Sequence, residues 1–188
     1  MKISLVTVLI ASGCAALIFA QTPASTPGIV NDLRSRYEFV KTTILAAADA
    51  MPEANYSFKP VPEEMSFGEW VAHIADVQVR QCSVISGPAK RVDAASKKSK
   101  AEMITALKAA FDECDAAFGA LTEANALEIV PPGGRGQTSR AGALAYVTAH
   151  DNEGYGSMAV YLRLKGVFPP STAIRQMGAA AGASGRGR

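Results

Sequence analysis

The sequence is poor in charge. Only 19% of its residues are Asp, Glu, Lys or Arg, and 19 basic side chains against 17 acidic leave a net charge of +2. No nucleic-acid partner is expected, because such domains carry a concentrated basic face and a pI above about 9, against 8.4 here. Histidine is scarcer still, at two residues in 188, so one chain cannot assemble a three-imidazole metal site. Strand signals are missing too. No segment alternates like a half-buried strand, and no β-branched run suggests a parallel one. What the chain does have is apolar bulk, 48% of its residues, broken up by proline and glycine. That is enough for one packed domain and too much for a disordered chain.

The first twenty residues read as an export signal. Lys2 precedes the apolar stretch Ile3 to Ile10, which resumes at Cys14 and ends at Ala20, with cleavage expected after Ala20. An uncleaved anchor is the alternative, since a membrane span needs about 17–25 residues. Cleavage implies an exported protein, periplasmic or extracellular in a bacterium, with no remaining membrane attachment. It also removes Cys14 and leaves Cys82 and Cys114 as an even pair, for which a disulfide is expected in an oxidising compartment. Two buried free thiols are the alternative.

Four helical segments account for most of the mature chain. The first starts at Thr26-Pro27, an N-cap followed by proline at the first helical position, and carries Leu33, Tyr37, Val40, Ile44 and Ala48 to Met51-Pro52. The second opens on a capping box, Ser66 with Glu69, and its stripe is Phe67, Trp70, Ile74, Val77, Gln81 and Val84, ending at Gly87-Pro88. The third repeats the box with Ser99 and Glu102, followed by Ile104, Leu107, Phe111, Cys114, Phe118 and Leu121. The fourth runs from about Ser139 to Lys165 and stops at Gly166, with Leu144, Val147, Met158 and Leu162 among its apolar positions. These elements predict an all-α four-helix bundle over residues 29–172, after a linker at 21–28. Connectors of roughly 12–15 residues allow crossover connections. Residues 173–188, rich in Gly, Ala and Ser, are expected to form a flexible, disordered tail.

Any chemistry has to be sought at the two histidines. His73 lies one turn from Trp70 in the second helix, and His150 lies three residues after Val147 in the fourth. Both should face the bundle interior, where metal and cofactor sites of bundles are built. From spacing alone, a pair of satisfied core histidines, each bonded to a carbonyl or a water, is the favoured account.

Several ordered motifs then resemble a known family. They are Met51-Pro52-Glu53-Ala54-Asn55-Tyr56-Ser57-Phe58-Lys59-Pro60, Ser66 to Asp76, His150-Asp151-Asn152-Glu153-Gly154-Tyr155-Gly156, Tyr161 to Gly166, and Pro169-Pro170. Over roughly residues 29–172 the chain is similar to the DinB-like superfamily. The resemblance implies a four-helix bundle with a nonstandard helix order and a divalent metal, such as nickel or zinc, held by three histidines, while two histidines with a carboxylate would suit iron. One of the three would come from the second helix and two from the fourth, at i and i+4. His73 and His150 match the first two positions, and at the third the chain has Gly154.

That departure leaves the expected metal site incomplete, since a catalytic zinc-type centre uses three protein ligands. Glu69, Asp76 and Glu153 are candidates to substitute, although Glu69 already has a capping role. Trp70 and Tyr155 would line a pocket with the histidines, and Gly154 would leave a gap beside His150. Two readings follow. One is an exported binding or structural module with a degenerate, weakly loaded or metal-free site, open to an unidentified small molecule and compatible with a homodimer. The other is a metal-dependent transferase or hydrolase, such as the thiol-dependent transferases found among relatives, using His73, His150 and a carboxylate or water.

Overall fold

The computed structural model describes residues 28–131 and 136–185. The expected signal segment, the linker before Gly28 and the Thr26-Pro27 cap lie outside the described residues. Five helices follow in order: α1 (Ile29–Ala50), α2 (Phe67–Ser86), α3 (Lys100–Gly119), α4 (Arg140–Leu164) and α5 (Pro170–Gly185). Short 3-10 turns occupy Glu53–Asn55 and Ala94–Ser96.

Local chemistry explains most of the boundaries. Helix α1 starts at Ile29 with Gly28 as its N-cap, and no side chain at that position caps it. A distant residue helps instead, as Glu123 Oε1 accepts from the Val30 N–H at 3.2 Å. Both expected capping boxes form. Ser66 and Glu69 open α2, and Ser99 and Glu102 open α3, each pair exchanging side-chain and backbone hydrogen bonds that pair otherwise orphaned N–H groups. Gly166 ends α4 in the left-handed region, at φ 70°. Its N–H reaches Arg163 O, and the Val167 N–H reaches Leu162 O, the paired bonds of a Schellman closure.

Long-range contacts fix the topology. The Arg34 guanidinium bonds to the carbonyls of Phe118, Gly119 and Leu121, and Lys100 Nζ reaches those of Asp49 and Met51, so α1 and α3 run antiparallel. Gly68 packs on Met103, and the Cys82–Cys114 disulfide joins the same two helices further along, so α2 and α3 run parallel. Helix α4 runs back along α2, with Tyr161 against Trp70 at one end and Arg140 against the Ile85 carbonyl at the other. The disulfide is thus present as expected. Closing a loop of sequence separation 32 stabilises the fold by about 3–4 kcal/mol in the chain-entropy account.

The core fills the space between these helices. Tyr37 stacks on Phe118 with ring centroids 4.0 Å apart, and its hydroxyl donates to Asp115 at 2.6 Å. The expected α3 stripe is buried from Leu107 onward. On α2 the buried face is rotated by one position from expectation, to Val71, Ile74, Ala75, Gln78, Cys82 and Ile85, while Trp70, Val77, Gln81 and Val84 are only partly buried. Helix α2 packs on both α3 and α4, so its buried arc is wide and no single stripe defines it.

Two elements differ from the sequence expectation. Ile129–Val130 pairs antiparallel with Thr138–Ser139 in a small ribbon, too short for any alternation to show in the sequence. Residues 173–185, expected as a flexible tail, continue α5. Pro170 sits at its first position, where a missing N–H costs nothing, and alanine has the strongest helix propensity, outweighing the interspersed glycines.

Candidate functional site

Helices α2 and α4 bring the two histidines together. His73 Nε2 lies 3.1 Å from His150 Nε2, with ring centroids 5.1 Å apart and the planes tilted by 45°. Both rings are partly buried. Trp70, one turn before His73, presents an edge to it at 5.9 Å, and Tyr146 lies 6.3 Å from His150 on the other side. Burial, then the neighbouring His150, then Arg80 push the His73 pKa down, so that ring is neutral near pH 7. At 3.1 Å two charged rings would repel strongly, and the contact is a hydrogen bond in which one ring donates to the other.

Asp151 supplies the asymmetry in that pair. Its carboxylate is 1% exposed, with Oδ1 3.7 Å from His150 Nδ1. That distance is too long for a hydrogen bond but close enough for the charge to favour a proton on Nδ1. Desolvation pushes the Asp151 pKa up to about 6, and neither oxygen has a hydrogen-bond partner among the described residues. Sequence reasoning missed this residue, although it fills the vacant position in the stripe Leu144, Val147, Met158, Leu162.

The expected gap at Gly154 does not exist. A Cβ placed there would meet Ile74 Cδ1 at 2.7 Å and Cγ1 at 2.9 Å, with Trp70 Cε3 at 3.7 Å. Ile74 is fully buried and occupies the space a side chain at 154 would need. The third position of the family pattern is therefore filled by the flank of an isoleucine.

The candidate substitutes are also accounted for. Glu69 Oε2 accepts from the Ser66 N–H at 2.6 Å and pairs with Lys59 at 3.0 Å. Asp76 takes the Ala94 and Ala95 N–H groups, one on each oxygen, at 2.8 and 3.1 Å. Glu153 is exposed on α4. Tyr155 does not line the site, because its hydroxyl accepts from the Ser171 N–H at 2.8 Å and ties α5 to α4. Among the described residues no group of three or more His, Cys, Asp or Glu is placed to hold a metal ion. The donor set present does not fit a three-ligand centre.

Comparison with known proteins agrees with this architecture. A DinB-like protein from Bacillus cereus ATCC 10987 superposes with a TM-score of 0.62 at 17% identity, over 74% of this chain and 95% of that one. A DinB-like protein (YjoA) from Bacillus subtilis gives 0.57 at 19% identity, over 72% and 92%. At these identities the likeness establishes the fold alone. No curated protein matches. The family model for the DinB superfamily matches residues 36–158, well over half of the sequence, and the chain belongs to that superfamily.

Proposed function

We propose that this is an exported DinB-superfamily domain that has given up the metal centre of its relatives and acts as a binding module. The observation that carries the reading is the Ile74 side chain packed where a third ligand would have to stand. A vacated ligand position that was merely empty would leave a hole, and here the hole is filled. The two imidazoles then form a hydrogen-bonded pair with the buried Asp151 beside His150. The apolar stretch from Ile3 to Ala20 supports export, and the Cys82–Cys114 bridge is the kind of crosslink an oxidising compartment maintains.

One observation favours the second reading, a metal-dependent enzyme. Two Nε2 atoms 3.1 Å apart match the spacing of two ligands each about 2 Å from a shared ion. Metal retention separates the readings. Loaded with zinc or nickel and dialysed, the mature protein is expected to keep much less than one equivalent, and His73→Ala to change that little. Stoichiometric retention abolished by His73→Ala would establish the enzyme reading instead.

A further inference from the structure

Beside His73, and without His150 in its lining, a cavity of about 720 Å³ opens between the first turns of α2 and α3 and the two 3-10 turns. We propose that it binds an aromatic carboxylate, an inference that rests on the binding-module reading and names its ligand. The size suits a small molecule, whose pockets run from about 300 to 1,000 Å³.

The lining selects the class. Met65 and Met103 are both part of the wall, and thioethers favour contact with aromatic rings over plain packing. Tyr56 adds ring surface only, since its hydroxyl already donates to the Ala48 carbonyl at 2.6 Å. His73 offers one polar atom. With Nε2 turned to His150, its Nδ1 is left to bond a ligand.

Charge supplies the other half. The acidic groups of the lining are engaged: Glu69 and Asp76 as described above, and Glu53 through the Lys100 N–H at 3.3 Å. Lys100 Nζ is held by two carbonyls. Lys98, exposed at the mouth, has no side-chain partner among the described residues and is the one cation of the lining free to meet an anion. An aromatic body between the methionines, a carboxylate at Lys98 and an acceptor or donor at His73 satisfy all three.

The test titrates the mature protein with benzoate and indole-3-acetate, using benzamide as the uncharged control and cyclohexanecarboxylate as the nonaromatic one. Amide and imidazole NMR shifts give the readout. Saturable binding of the aromatic acids is expected, with both controls several-fold weaker. Lys98→Met should weaken benzoate about fivefold, the effect of one exposed charge pair, and leave benzamide unchanged. Ala54→Trp and Ala95→Trp, both at exposed wall positions, should each abolish binding in a protein that circular dichroism shows to be folded. No saturation at millimolar acid, equal binding of cyclohexanecarboxylate, or binding that survives both tryptophans would overturn the proposal. Those failures touch the ligand alone, whereas tight metal retention would remove the reading beneath it.

Discussion

Beside Gly154 the packing leaves no room for even a methyl group, and that makes the glycine a measurable part of the site. In an exposed helix, glycine to alanine gains about 1 kcal/mol. Here the added Cβ would stand 2.7 Å from the end of Ile74, a β-branched side chain with no exposed surface into which to swing. Overpacking of that kind costs about 1–3 kcal/mol, so Gly154→Ala is expected to lower stability. In an Ile74→Ala background the same change should raise it. Chemical denaturation of the four proteins of that cycle measures the coupling, and additive effects would show that the two positions do not interact. The same contact means that Gly154→His alone cannot rebuild a third ligand. Position 154 was legible in the sequence as a departure from a pattern, but its neighbour was not, because nothing in the chain near Gly154 reports which residue of α2 lies opposite. Asp151 was hidden for the same reason. Its direction depends on how α4 is rolled against its neighbours, and an i, i+1 relation to His150 suggests divergence.

At the level of helices, the sequence was most legible where the chemistry is local. Ser66 with Glu69, Ser99 with Glu102, and Gly166 each act within a few residues, and each forms as its spacing implies. The α2 face and the α5 helix were less legible, because burial on two partners and the length of an alanine-rich end are set by more than periodicity. The capping boxes carry a pH signature. Hydrogen bonds from Ser66 and the Lys59 ammonium hold the Glu69 carboxyl below its usual range, and hydrogen bonds from Ser99 and Lys98 do the same for Glu102. A carboxyl whose folded pKa is depressed adds stability that is complete above the unfolded value, near pH 4.5, and is lost as pH falls through the folded one. Glu69→Gln should therefore lower the thermal midpoint at pH 7, by an amount that shrinks towards pH 3 as the wild-type carboxyl takes up its proton. An equal shift at both pH values would show that charge plays no part in the cap.

Across the whole molecule, the long connectors signalled crossovers without saying which helices run parallel, and the disulfide and the Gly68–Met103 contact settle that α2 and α3 do. Their parallel run has a mechanical side. Helix α2 has 20 residues, a length of about 30 Å at 1.5 Å per residue. The chain must cover that distance again, from Gly87 to Ser99, before α3 can start level with α2. Thirteen residues reach at most about 45 Å when fully drawn out, and Asp76 clips the segment midway by holding the N–H groups of Ala94 and Ala95. The return segment is thus a strap with little slack, stitched to the helix it crosses. Removing six residues from it should prevent α2 and α3 from lying in register and leave Cys82 and Cys114 as titratable thiols. Inserting four glycine or serine residues beside Pro88 should keep the bridge, because added chain can bow outward while missing chain cannot be stretched.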